Sequence, residues 1–580
     1  MARDLRRCLS LAKMFRRRHH GKVAKLARSP QRLLTALRAF EKIQAELDRS
    51  SSYAFLVFAA DSTEPAHGAL LQRVREQGTA VEQELLFFDL ELGRLPVTLL
   101  HRLNRHPALA PYHHFLKQEF AWRSHQLSEV EERLFADMNV TGSAAFVRLF
   151  DEEQAAKRFR LGRREVTVTE LGTRLQHPGR AVRRAALLAL HAGLKPEARR
   201  LTFFTNTLAA AKATRDRYRH FAKPEDSRHL RNELDRSVVE LVSAVVARHY
   251  PLVQDYYHFK AKMLGTKKLV DYDMSAPLGR ARTRIPFTEA KQIVLEAFAN
   301  FSPEYATAAQ RFFDKNWIDA TPRPGKRGGA FCASTTPNHH PYILTSYHGT
   351  LRDVTTLAHE LGHGVHGLLA NKHSLFDFQA PLPLAETASV FGELLVFEAL
   401  RRRLKNRAER LALYATTVES AFATVFRQIA MYRFEQDLHR ARRRQGELST
   451  ATITGLWRRR QHELAGQTIE PTPGTTGLGW TTIPHFIHSP FYVYSYAIGQ
   501  LLTLSLYQRY REEGQSFVPK YLDLLRSGGS RSPQELLQPL GINLADKKFW
   551  EGGITLIRQL VTETKQLALR PAQGKPKTRA

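Results

Sequence analysis

Residues 355–367 read Thr355-Thr356-Leu357-Ala358-His359-Glu360-Leu361-Gly362-His363-Gly364-Val365-His366-Gly367. His359 and His363 are four apart, so on a helix both imidazoles share one face, one turn from each other. Both can reach a single Zn2+ at roughly 2.1 Å. Glu360 cannot reach the same ion without strain, and it stands where H-E-x-x-H hydrolases carry their general base. The flanking Val354, Leu357, Ala358, Leu361 and Val365 are apolar or small, which predicts a buried helix. Buried imidazoles need partners, so a metal is expected.

A catalytic zinc site takes three protein ligands and keeps one position open. His366 is a poor third ligand, because seven residues separate it from His359, about 10 Å of helix axis. The longer H-E-x-x-H-x-x-G-x-x-H pattern also fails, since His366 occupies the place of its glycine. The next candidate is Glu386, an acid set among Pro381, Leu382, Pro383 and Leu384. Helical spacing from Glu386 puts Val390, Glu393 and Phe397 on the same side, and an acid on an apolar face is costly unless it is paired or metal-bound. Glu386 is therefore expected as third ligand, although a helix N-terminus would also favour it. Glu393 either holds a ligand imidazole or forms a salt bridge.

These segments resemble the oligoendopeptidase F branch of the thimet-oligopeptidase-like zinc peptidases. The resemblance rests on HELGHGVH (359–366) and LAETASVFGE (384–393). It continues upstream in Gly325 to Cys332, His340 to Leu344 and Gly349 to Val354, and downstream in Ile483 to Phe486 and Phe491 to Ala497. It covers about residues 200–560 well and the earlier part more weakly. It implies a mainly α, multi-lobed helical zincin with a deep active-site cleft and a small β element beside the histidine helix. It also implies one Zn2+ per chain, held by His359, His363 and Glu386, and peptide hydrolysis with Glu360 as base. By position, His485, Tyr492 and Tyr496 bind substrate and the oxyanion in such enzymes, with Tyr494 as the alternative donor. The physical need is clear: amide hydrolysis builds negative charge on the carbonyl oxygen, which a neutral O–H or N–H can stabilise by roughly 3 kcal/mol.

The chain has 580 residues, more than one ordinary core, and 43% of them are hydrophobic, as in globular proteins. Its two cysteines, Cys8 and Cys332, make no disulfide framework and no thiolate metal site. No run of 18 apolar residues occurs, so no membrane-spanning helix is expected. There is no apolar signal segment either, and a cytoplasmic location is expected. The basic N-terminus, with Arg16-Arg17-Arg18, suits an amphipathic helix or an organelle transit peptide. Hydrophobic patterning from Leu33 to Leu47 favours the helix.

The formal net charge is +31, which invites a polyanion partner. The basic runs Arg401–Arg403, Arg440–Arg444 and Arg458–Arg460 lie in helix-like segments with no nucleic-acid motif. They are expected to be solvated helix faces, with no specific nucleic-acid binding.

Along the chain, residues 1–200 are expected to form an N-terminal helical lobe, with about 110–200 the better match to the family. Polar breaks are expected at Arg49-Ser50-Ser51-Ser52 and around Pro65. One charged helix is expected over about 115–138, and a hairpin over 159–168 with its turn at Gly162-Arg163. Residues 201–568 should form the catalytic domain, and 569–580 a disordered basic tail. Gly328, Gly329, Ala330 and Phe331 open a short strand whose partner is about 341–347. An exposed edge there binds extended peptide through its main chain, and the glycines admit close backbone approach.

Together these observations predict a zinc metalloendopeptidase acting on short unstructured oligopeptides, in an oligomeric state the sequence leaves open. A zinc carboxypeptidase or dipeptidase would share the metal set. A basic polyanion-binding protein with a vestigial site would bind nucleic acid with steep salt dependence and cleave nothing.

Overall fold

The computed structural model describes residues 2–279, 283–475 and 477–569. The expected tail falls outside these, apart from Leu569, which ends the last helix (Lys547–Leu569). The architecture is predominantly helical, with small β elements only.

The amphipathic reading of the N-terminus holds. Helix α1 (Ala2–His19) buries Leu5, Cys8, Ala12 and Phe15 against α2 (Pro30–Ala60) and α3 (Pro65–Gly93). The polar break expected at Arg49 to Ser52 is absent, because α2 runs straight through it with Ser50 and Ala54 buried. Tertiary packing overrides the weak helix propensity of three serines. The other expected break is found: the chain turns at Asp61 to Glu64, just before Pro65 sets the first turn of α3.

The single charged helix expected over 115–138 is also broken. His113–Ala121 and Glu129–Thr141 are separate helices, the second opened by a Ser128–Glu131 capping box. The hairpin appears as read: β1 (Phe159–Leu161) pairs antiparallel with β2 (Arg164–Val166), and Gly162 takes φ +63° in the turn.

The apolar interior forms two clusters, one drawn from residues 5–116 and one from 150–561. The short helix α4 (Asp226–Arg231) lies on the second. A three-stranded sheet follows, ordered β3 (Ile318–Asp319), β5 (Tyr342–Leu344), β4 (Phe331–Ala333). The β4–β5 pair is the expected one, shorter than read, and β4 is an edge strand. The third strand, β3, pairs parallel to β5 and carries too few residues for any periodicity.

The sheet abuts α5 (Leu351–Ala370), which starts at a Thr350–Asp353 capping box and buries Val354, Leu357, Ala358, Leu361 and Val365. Helix α6 (Leu382–Arg403) crosses α5 closely, and α7 (Arg427–Gln445) and α8 (Tyr494–Glu513) complete the body. Among the described residues no helix is long and apolar enough to cross a membrane.

The basic runs are largely ion-paired. Arg403 meets Glu289 at 2.7 Å, Arg440 meets Glu225 at 2.9 Å, and Arg460 meets Asp437 at 2.8 Å.

Candidate active site

Two glycines decide how the site assembles. A Cβ on Gly362 of α5 would lie 2.3 Å from the Ala388 carbonyl oxygen, and one on Gly392 of α6 would lie 2.9 Å from the Ala358 carbonyl oxygen. Only bare backbone allows helices this close. At that crossing His359, His363 and Glu386 project together, and one ligand atom from each falls within 4.8 Å of the others. Glu386 Oε2 is 3.5 Å from His359 Nε2 and 3.7 Å from His363 Nε2. A tetrahedral ion with bonds near 2.1 Å needs its ligands about 3.4 Å apart. The donor set, two imidazole nitrogens and one carboxylate oxygen, is that of a catalytic zinc site, so the residues present fit the ion.

The outer atoms fit as well. His359 Nδ1 hydrogen-bonds Glu393, which leaves its Nε2 for the centre, and the Ala385 backbone lies against the His363 ring, whose Nε2 faces Glu386. Ser389 Oγ donates to Glu386 Oε2 at 2.7 Å. Ser389 and the Ala385 backbone were not anticipated, although Ser389 stands at i+3 from Glu386, a legible helical spacing. Of the two readings of Glu393, the contact with His359 is the one found. His366 is buried and outside the cluster, its Nε2 without a partner.

Burial dominates the electrostatics. It pulls His363 down to about 4, the neutral form that a metal requires. It also opposes the charged form of His359, but the Glu393 hydrogen bond and the surrounding carboxylates overcome this and raise the group to about 9. Desolvation pushes Glu386 up, yet the two histidines hold it below the ordinary carboxylate range. Glu360 is only 5% exposed, and burial pushes it up to about 7. The Cys332 backbone N–H of β4 faces this carboxylate, so the edge strand runs directly past it.

Gly328 and Gly329 form the bend before β4, with Gly329 at φ +87°. Ala330 precedes the strand and Phe331 opens it. The Phe331 ring packs 5.2 Å from Phe55 of α2, so the N-terminal helices brace this rim.

On the opposite side, α8 presses on α6, where a Cβ on Gly499 would lie 3.2 Å from Glu386 Cβ. Tyr496 Oη lies 3.1 Å from His485 Nε2, and Tyr492 stacks 5.6 Å from His485 and meets Tyr496 edge to face at 5.2 Å. The Tyr492 and Tyr496 hydroxyls influence each other, and both feel the charge of Glu386. Burial raises both phenols above their ordinary value, so each keeps its proton as a donor.

Tyr494 faces the other way. Its buried hydroxyl accepts from Asn232 Nδ2 at 2.8 Å and lies 3.0 Å from His229 Nδ1. Burial lowers His229 to about 4, so its ring is neutral where it meets the phenol. Tyr494 and Tyr496 stand two residues apart on α8, about 200° around the helix, and so face opposite ways; ahead of them the chain bends at Phe491. This non-glycine residue sits at φ +61°, with its N–H donated to the buried Glu435 at 2.7 Å. No sequence signal announced Glu435, His229 or Asn232.

The family model described as Peptidase family M3 matches residues 174–556, and that described as Oligopeptidase F matches 91–159. The chain is 26% identical to Oligopeptidase PepF of Bacillus subtilis, over 95% of this chain and 83% of the relative. It is 24% identical to an oligoendopeptidase F homolog of Lactococcus lactis, over 93% of this chain and 90% of the relative. Among solved structures, one from Chlamydophila abortus superposes with a TM-score of 0.82 at 24% identity, covering 93% of this chain and 92% of that one. The oligoendopeptidase-F of Enterococcus faecium gives 0.74 at 22% identity, covering 96% and 97%. With two thirds of its length matched by the one family and the preceding segment by the other, the chain belongs to peptidase family M3, in the company of the oligoendopeptidases F, and is a metallopeptidase.

Proposed function

We propose that this metallopeptidase is a zinc-dependent endopeptidase that cuts internal bonds of short unstructured oligopeptides, with one Zn2+ per chain. The observation that carries the reading is the convergence of His359 Nε2, His363 Nε2 and Glu386 Oε2 on one point, with Glu360 adjoining. A zinc ion bound there supplies a Lewis acid that lowers the pKa of water towards 7 and polarises a carbonyl.

The chain's own groups do the rest. Glu360, raised to about 7, takes the proton of the attacking water and delivers it to the leaving amine. Tyr496, with Tyr492 and His485 beside it, donates to the oxygen on which negative charge develops. The edge of β4, approached through Gly328, Gly329, Ala330 and Phe331, offers main-chain hydrogen bonds to an extended peptide whatever its side chains. Residues 1–200 form the lobe that walls the cleft and 201–568 the catalytic body, with the segment after 150 sharing the body's apolar core. The setting is peptide catabolism in the cytoplasm.

The test is cleavage of quenched fluorescent peptides blocked at both termini, with and without a chelator. Internal cleavage, lost with the chelator and restored by zinc, is expected. Glu360→Gln should lower kcat by about 10²–10⁴ while retaining one zinc per chain. Near wild-type turnover in that variant removes the base. A Glu386→Ala protein with undiminished zinc affinity removes the third ligand, and failure to cut doubly blocked peptides in favour of free termini makes the enzyme an exopeptidase.

A further inference from the structure

One cation at this site makes no close ion pair among the described residues. Arg228 lies on α4 with its guanidinium carbon 5.6 Å from the Tyr492 ring centroid. The side chain is half-buried, its Nε has no hydrogen-bond partner, and no carboxylate among the described residues pairs with it. The acids nearby are already engaged: Asp226 with Arg236 at 2.7 Å, Glu225 with Arg440 at 2.9 Å, and Asp216 with Lys212 and Arg443. Glu435 is fully buried and takes the Phe491 N–H; it is the one acid whose charge reaches Arg228, at more than ion-pair distance and shared with Lys212. Arg231, one turn along, adds like charge rather than relief.

A half-buried guanidinium with no close ion pair keeps donors free, so beside the tyrosines it offers a place for an anion that arrives from outside. The placement is also rigid. Asn232 Nδ2 donates to Tyr494 Oη and, at 2.9 Å, to Ser495 Oγ, while His229 Nδ1 lies 3.0 Å from Tyr494 Oη. These bonds lock α4 to the start of α8, and they fix Arg228 beside Tyr492 rather than letting it swing into solvent.

We propose that Arg228 is a recognition point for a carboxylate of the peptide substrate, set beside the tyrosine–histidine donors and one side chain removed from the hydrolytic centre. A guanidinium matches a carboxylate through two parallel N–H···O bonds, a geometry that lysine cannot copy. The carboxylate is either the substrate's C-terminus or an aspartate or glutamate side chain. In either case it turns the basic surface around Arg228 and Arg231 into a selector for anionic peptides. The proposal rests on the peptidase reading above and adds a specificity to it.

The experiment compares kcat/KM for two pairs of quenched fluorescent peptides in the zinc-loaded enzyme. One pair differs only in a C-terminal acid against a C-terminal amide. The other, amidated throughout, differs only in Asp against Asn two or three residues beyond the cleaved bond. The wild type should favour the carboxylate by about tenfold or more in one pair, and that pair identifies the source. In Arg228→Gln the acid-to-neutral ratio should fall to about one, and Arg228→Lys should restore only part of it. The ratio is taken within each protein, so a general loss of activity or partial misfolding cancels. No preference in the wild type, an unchanged ratio in Arg228→Gln, or an equal fall for all four peptides would overturn the assignment and leave the peptidase reading intact. If the wild type cut none of them, the peptidase reading would fail first and this one with it.

Discussion

Adding one methyl group at position 362 should disable the enzyme without touching a ligand. In Gly362→Ala the new Cβ would sit 2.3 Å from Ala388 O, 2.6 Å from Ser389 Cα and 2.7 Å from Ala388 C. All three are main-chain atoms of α6, so no rotamer change relieves them. Restoring ordinary contact at about 3.4 Å requires α5 and α6 to part by about 1 Å, at a cost of about 1–3 kcal/mol in overpacking. The same shift separates His359 and His363 from Glu386, which follows Ala385 on the helix that must move. Zinc bond lengths tolerate only about 0.2 Å. Zinc affinity should therefore fall by at least the about 10–100-fold typical of losing an outer partner, and kcat/KM should fall with it. The assay is competition with a chromophoric chelator, alongside circular dichroism to verify the helical content. Gly455→Ala is the control. It lies in the helix Thr450–Ala465 with nothing within 4 Å of its Cβ, and should stabilise by about 0.5–1 kcal/mol. A folded Gly362→Ala protein with zinc affinity and kcat/KM within threefold of wild type would refute the claim that helix approach sets the ligand geometry.

Glu393→Ala frees the His359 imidazole and should cost about 10–100-fold in zinc affinity by the same competition assay, with little change in fold. Tyr496→Phe should lower kcat by about 10²–10³ with KM nearly constant. Tyr494→Phe, which strips partners from Asn232 and His229, should instead lower stability by about 1–3 kcal/mol in urea titration. Glu435, raised to about 8 by burial, keeps its proton in the folded protein over a range where the unfolded chain has lost it. Its contribution is complete below about 4.5 and is lost as pH rises through about 8. Glu435→Gln should therefore flatten the decline in urea midpoint between pH 5 and 8; an equally steep decline would show that Glu435 is ionised.

What the sequence disclosed follows its periodicities. The four-residue spacing of His359 and His363 put two imidazoles on one face, and an acid amid prolines and leucines pointed to Glu386, which the fold brings beside them. Alternation around Gly162 placed the hairpin. Features that depend on distant packing left no trace. Ser50 to Ser52 look like a break, yet they sit in a helix held from both sides by α1 and α3. The two-residue strand β3 has no pattern to read. Tyr492, Tyr494 and Tyr496 look alike on paper, and only the start of α8 at Tyr494, which turns Tyr494 and Tyr496 to opposite sides, and the partners of Tyr494 separate them. Arg228 stands far from any motif, and its lack of a close ion pair becomes visible only once the chain is folded.

The bracing of Phe331 by Phe55 belongs to a longer seam. Ser62 N–H donates to the Gly325 carbonyl at 2.7 Å, Arg327 N–H donates to the Ala59 carbonyl at 2.9 Å, and the Arg327 guanidinium lies 5.4 Å from the Phe55 ring centroid. Beyond α5, Leu375 N–H reaches Glu41 of α2 at 2.6 Å and Phe376 stacks on Phe115 at 4.2 Å. The first hundred residues are therefore stitched, backbone to backbone, to the loop that leads into β4. A gene fragment beginning after them would encode His359, His363 and Glu386 and still lack the helices that hold this rim in place. What frames the candidate site begins well before the segment that carries its side chains.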